Sequence, residues 1–172
     1  MKRLMFVLLA VLFAVNGMAQ VDSIAGKDSM DVAFAIVIPA GNTLTSAQRK
    51  EIRLKLETVL ARTKSAGEVK KTPFVIVPEL RVLSTDVTAG AKETFTLVEG
   101  ELTLTVKNRY NGTAYNELVM PLKEMVAGKR VADPVSVLIR KIEPKDRRFV
   151  RFINTSQKRI AEHYAGGAVE VP

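Results

Sequence analysis

The sequence predicts an α+β domain: a largely antiparallel four-stranded sheet with one face covered by three helices, in the order β-α-β-β-β-α-α. Three observations point there. Apolar residues alternate on both sides of an Asn-Gly pair at 111–112, the pattern of a hairpin. Helical periodicity is confined to a stretch after Thr45 and to the segment after Asp133. Short apolar runs at 32–38 and 74–83 have the length and composition of strands, the first a buried one closed by Pro39 and the second carrying Pro78 within it.

The first strand is expected over 32–38, closed by Pro39, Gly41 and Asn42. Thr45 and Gln48 then have capping-box spacing, each side chain able to close an orphan amide of a first helical turn. The helix they start is expected to reach about Ala66, stopped by Gly67. Ile52, Leu56, Val59, Leu60 and Thr63 share one face, while Arg49, Lys50, Arg53, Lys55 and Arg62 lie largely off it.

The second strand covers 74–83, and Pro78 makes it an edge strand or a bulged one. Ser84, Thr85 and Asp86 after it read as a turn. The third strand covers 94–107. Phe95 and Leu97 are odd-numbered whereas Leu102, Leu104 and Val106 are even-numbered, so one face can hold both sets only across a bulge, expected at Gly100. A returning strand over 113–123 follows the Asn-Gly turn. Asp133-Pro134 reads as N-cap and first helical position, and Val135, Leu138, Ile139 and Ile142 form the stripe of a short helix broken at Glu143-Pro144. In the last helix Phe149, Phe152, Ile153, Ile160 and Tyr164 share one side.

Ahead of the domain stands a secretory signal. Lys2 and Arg3 precede an apolar run over 4–15, and Gly17-Met18-Ala19 supplies small residues for cleavage before Gln20. The run is shorter than the roughly 20 residues a membrane-spanning helix needs, so no transmembrane segment is expected after signal removal. The organisation is then 1–19 signal, 20–31 leader, 32–167 one domain and 168–172 tail. The destination is the periplasm, the cell surface or the medium. Asp22-Ser23-Ile24 and Asp28-Ser29-Met30 in the leader fit a short acceptor pattern for bacterial O-glycosylation.

The absence of cysteine excludes a thiol nucleophile, a disulfide scaffold and a cysteine-ligated metal. The net charge of +8 falls to about +6 without Lys2 and Arg3, a balance that favours anionic partners. Arg147, Arg148, Arg151, Lys158 and Arg159 gather on the outer side of the last helix and form the candidate face for such a partner. That face can equally be a solvated helix exterior or lie on a membrane surface.

Catalytic constellations are sparse. Glu99 and Glu101 invite comparison with the paired carboxylates of glycoside hydrolysis. His163 is the lone histidine, next to Tyr164, with no nucleophile or metal partner spaced for it. No cofactor is expected. Low aromatic content and the lack of tryptophan speak against base-stacking grooves, so no specific nucleic acid is expected as partner.

The segments Phe74-Val75-Ile76-Val77-Pro78 and Val82-Leu83-Ser84-Thr85-Asp86-Val87-Thr88, the hairpin, and the closing helix through Lys158, Ile160 and Tyr164 carry a resemblance. Together they resemble an exported, functionally uncharacterised family of gut Gram-negative anaerobes. His163 stands where that family usually has tyrosine, and the cysteine that often follows its helix is missing. The element order is also similar to the TolB amino-terminal domain and to the curli-secretion lipoprotein family, a likeness of fold only, which confers no function and leans mildly toward assembly or binding over catalysis.

The function expected is an exported non-enzymatic binding or assembly module that meets a protein or an anionic envelope component. Two alternatives remain open: an envelope-glycan hydrolase using Glu99 or Glu101, and a structural subunit that assembles through the Pro78 edge strand.

Overall fold

The computed structural model describes residues 32–41, 43–90, 93–128 and 131–166. The signal, the leader and the tail expected from the sequence lie outside them. Four strands, β1 (Ala35–Ile36), β2 (Phe74–Ala89), β3 (Thr94–Asn108) and β4 (Ala114–Ala127), form one sheet in chain order. β1 runs parallel to β2, and the other pairs are antiparallel. Helices α1 (Ser46–Arg62), α2 (Pro134–Lys141) and α3 (Arg147–Gly166) complete the expected order, β-α-β-β-β-α-α.

Only two residues of the expected first strand pair with β2. Phe34 instead bridges to Ala66, with Phe34 N donating to Ser65 O at 2.8 Å and Gly67 N to Phe34 O at 2.8 Å. That exchange explains why α1 stops at Arg62 and not near Ala66. Lys64 adopts a left-handed φ of 54°, Ser65 N donates to Leu60 O and Lys64 N to Ala61 O, the two bonds of a Schellman close. Gly67 is needed for contact, not for stopping the helix: a Cβ there would sit 2.9 Å from Ala33 Cβ. The N-terminus follows the expected capping box, with Gln48 N donating to Thr45 Oγ1 and Thr45 N to Gln48 Oε1 at 2.8 Å.

The anticipated bulge exists, but in the neighbouring strand. The β2–β3 register slips between Val82 and Ser84, leaving Leu83 as the extra residue, and β2 continues straight through Ser84-Thr85-Asp86. β3 is unbroken. Its even-numbered residues from Thr96 to Asn108 are all buried, so Phe95 and Leu97 belong to the opposite, more open face. Gly100 is required because an added Cβ would overlap Leu138 of α2 and the Arg81 carbonyl of β2. The glycine therefore marks where α2 lies against the sheet. Val98, Leu102, Leu104 and Val106 meet Leu138, Ile139, Phe149, Ile153 and Ile160 in the core.

Gly112 takes the positive φ expected at the turn, 76°, and Asn108 N donates to Thr113 O across its base. The reversal is longer than a two-residue turn. Asp133 caps α2 and Pro134 fills its first position as expected. Lys55 Nζ donates to Ile142 O at 2.9 Å, which places a cation at the carboxyl end of α2. Tyr164 is 43% exposed, at the rim of the apolar side of α3 where the core was expected to take it.

Both sheet margins carry a proline. Ile76 O accepts from Val37 N, so even-numbered residues of this part of β2 turn their peptide groups away from β3, Pro78 included. Gly128 N donates to Thr94 O, so odd-numbered residues of β4 face outward, Pro121 included. Neither ring removes a rung of the sheet. The expectation of an edge position for Pro78 holds from Val77 onward, since β1 ends beside Ile76.

Candidate functional site

α3 brings the five predicted cations to its exposed side but gives them unequal work. Asp146 precedes the helix, and its carboxylate accepts from Arg148 N at 2.8 Å and from Arg148 Nη2 at 2.7 Å. The guanidinium holds the Asp146 carboxyl below its ordinary value, and the carboxylate raises the arginine in return. Arg148 is thus a fixture of the helix start. Arg159 reaches β4, with Nη1 2.8 Å from Asn116 Oδ1 and 3.2 Å from the Tyr115 carbonyl. It ties the helix to the sheet margin.

Arg147, Arg151 and Lys158 remain. Their spacing of four and seven residues puts them on one line of the helix. Lys158 lies 3.7 Å from Glu162, a loose pair with both partners well exposed. Among the described residues no carboxylate lies within ion-pair distance of Arg147 or Arg151.

A second basic group was expected only as cations off the apolar face of α1 and not as a site. Ser46, Arg49, Lys50 and Arg53 of α1 line a shallow hollow of about 380 Å³. Their spacing of three, one and three residues on a helix was the available signal, since such positions share a face.

Glu99 and Glu101 stand on the same open face of β3, because no bulge separates them. Each is taken up by a cation of a different neighbouring strand. Lys123 Nζ is 2.7 Å from Glu99, and Arg81 Nη2 is 2.9 Å from Glu101. Lys123, by hydrogen bond and charge, draws the Glu99 carboxyl below its ordinary value. A general acid of a glycosidase needs the reverse shift. Arg81 also approaches Glu79 at 3.3 Å, so the middle of this face is a lattice of alternating charge.

His163 is exposed and meets Tyr115 and Tyr164 edge to face, with ring centroids 5.3 and 5.2 Å apart. Phe74 joins both tyrosines in the same manner. Burial and the Tyr164 hydroxyl 3.3 Å away raise the Tyr115 phenol above its ordinary value. Among the described residues no cluster of three His, Asp or Glu side chains could hold a metal ion. No described helix is long and apolar enough to cross a membrane.

No family model and no curated protein match the chain. Solved structures show loose likenesses. A minor lipoprotein from Acinetobacter baumannii is 12% identical, with 77% of this chain and 94% of that one covered at a TM-score of 0.42. A candidate lipoprotein from Caulobacter crescentus CB15 is 11% identical, with 80% and 93% covered at a TM-score of 0.37. A candidate neuraminyllactose-binding hemagglutinin homologue from Helicobacter pylori is 13% identical, with 81% and 85% covered at 0.34. Scores of this size assign no role to any residue of the chain.

Proposed function

We propose that the chain is an exported, non-enzymatic binding module that engages an anionic component of the bacterial envelope through Arg147, Arg151 and Lys158. The observation that carries the reading is the exposed line of cations on α3, two of which have no ion-pair partner among the described residues. The charge of the whole chain acts in the same direction by drawing anions toward it. The export signal at residues 1–19 supplies the compartment. The pairing of Glu99 with Lys123 and of Glu101 with Arg81 supports recognition over hydrolysis, since each carboxylate is engaged by a cation of a neighbouring strand and the Glu99 carboxyl is lowered where a general acid needs it raised.

Binding to anionic polysaccharide beads tests the reading. Retention should fall with salt and should be lost in Arg147→Ala/Arg151→Ala/Lys158→Ala. Retention that ignores salt, or survives the triple change, removes the proposal. Saturable turnover of an envelope glycan, abolished by Glu99→Gln, would replace it with the hydrolase reading.

A further inference from the structure

Charge divides this molecule by layer. Helices α1, α2 and α3 hold twelve Lys and Arg against three Glu, whereas the strands hold three Lys and Arg against six Asp and Glu. The helices turn their apolar sides into one core with the buried face of the sheet, so their outer sides share a surface directed away from the strands. On the open sheet face, Glu79, Glu99 and Glu101 are met by Arg81 and Lys123. The positive charge is therefore one-sided.

Two helical lines make up that surface. On α1, Lys50, Leu54 and Glu57 follow at spacings of four and three, away from the buried Ile52, Leu56 and Val59, with Arg53 beside them. On α3, Val150 flanks the line of Arg147, Arg151 and Lys158. All five cations are exposed, and among the described residues no carboxylate lies within ion-pair distance of Lys50 or Arg53. Leu54 is 53% exposed and Val150 42%, so two aliphatic side chains stand uncovered among the cations. At 1.5 Å per residue the two helices run for about 25 and 30 Å.

Charges spread along two helices cannot close on one small anion, but they match a plane of repeating negative charge. The exposed apolar groups between them are aliphatic, and the chain has no tryptophan to stack on sugar rings. Cations with aliphatic side chains between them suit a lipid surface, where phosphates lie beside glycerol and the upper acyl chain. We infer that the helix layer lies flat on an anionic bilayer. Lys50 and Arg53 act there with Arg147, Arg151 and Lys158, while Leu54 and Val150 reach between the headgroups. Resting on the α3 line of the proposed function, this assignment names the surface that line meets and adds α1 to it. The apolar sides of both helices belong to the core, so the domain lies on the bilayer without entering it. Glu57, the one acid on the α1 line, opposes the contact.

Vesicle co-sedimentation tests it, with the processed chain from Gln20 onward so that the apolar run at 4–15 takes no part. The protein should bind phosphatidylglycerol vesicles and leave phosphatidylcholine vesicles. Lys50→Ala/Arg53→Ala should weaken binding by roughly tenfold or more, and Glu57→Lys should strengthen it by a similar factor. A change that merely loosened the fold would not strengthen it. Because the chain lacks tryptophan, single reporters read the orientation. Emission from Leu54→Trp should shift to the blue on phosphatidylglycerol vesicles, and emission from Val119→Trp, on the open sheet face, should not. Retention on polysaccharide beads without vesicle binding overturns the bilayer assignment and leaves the α3 reading standing; loss of both removes both. Equal binding to the two lipids, indifference to the α1 changes, or a blue shift at Val119 also overturns it.

Discussion

Gln48 and Asp133 lie 85 residues apart and share one hydrogen-bonded junction, Gln48 Nε2 reaching Asp133 Oδ2 at 3.0 Å and Oδ1 at 3.1 Å. The same glutamine closes the capping box of α1, and the same aspartate accepts from Ser136 N to cap α2. Two helix starts are thereby fastened to each other. Gln48→Ala should cost about 1–2 kcal/mol in urea unfolding, since a cap and a buried partner are lost together. Gln48→Glu should be worse at neutral pH and should recover as the pH falls, because it sets a second carboxylate beside Asp133. A Gln48→Glu variant with unchanged stability at every pH would show the junction to be incidental.

Asp133 gives a second pH-dependent expectation. Hydrogen bonds from the Ser136 hydroxyl, the Ser136 amide and Gln48 hold its carboxyl below the ordinary value. A group depressed on folding stabilises above its unfolded pKa, and that contribution disappears as pH falls through the folded one. Acid titration followed by circular dichroism should show the stability advantage of wild type over Asp133→Ala, about 1 kcal/mol at neutral pH, vanishing in strong acid. A difference that persists there would assign the loss to packing.

Gly100→Ala should destabilise by about 1–3 kcal/mol, because the new methyl overlaps both Leu138 and the Arg81 carbonyl. Trimming the first obstacle with Leu138→Ala cannot remove the second, so the double variant should not regain wild-type stability. Thermal melts of the three proteins decide the point. Full recovery would mean that β2 yields where the close approach predicts it cannot.

Lys64→Gly should stabilise, by up to about 1 kcal/mol, since glycine adopts the left-handed conformation without the side-chain clash that lysine carries. The gain is tempered by glycine's looser unfolded chain. A loss on urea unfolding would mean that the lysine stem contributes more than its backbone costs.

Ser156 is fully buried on α3, where it accepts from Asn116 Nδ2 at 3.0 Å and donates to Phe152 O. Ser156→Ala leaves the Asn116 amide short of a partner and should cost about 1–2 kcal/mol. Chemical denaturation of Ser156→Ala beside Ser156→Ala/Asn116→Ala measures how much of that is the pair itself.

Features with local chemistry were legible in the chain. Thr45 with Gln48, Asp133 with Pro134, and Asn111 with Gly112 each act within four residues, and each stands where the sequence puts it. The misplaced bulge shows the other side. Phe95 and Leu97 are apolar yet face away from the helices, so hydrophobicity alone misassigned the parity of β3. The slip at Leu83 is a relation between two strands, and no single strand announces it. Likewise the five cations of α3 share a helical wheel, but Asp146 and Asn116, which occupy two of them, lie off that wheel. Lys64 in a glycine-type conformation carries no signal, because tertiary pairing of Phe34 with Ser65 and Gly67 imposes it.

The Leu83 slip also divides β2 by the company each half keeps. Phe74 to Ile76 are buried, whereas every residue from Thr85 to Ala89 is exposed and β3 is its sole neighbour in the sheet. The near half is anchored by the interior; the far half is an arm that can let go while the rest stays intact. Its amides should trade hydrogen for deuterium well before those of Val75 and Ile76, with the boundary at the residue that breaks the phase.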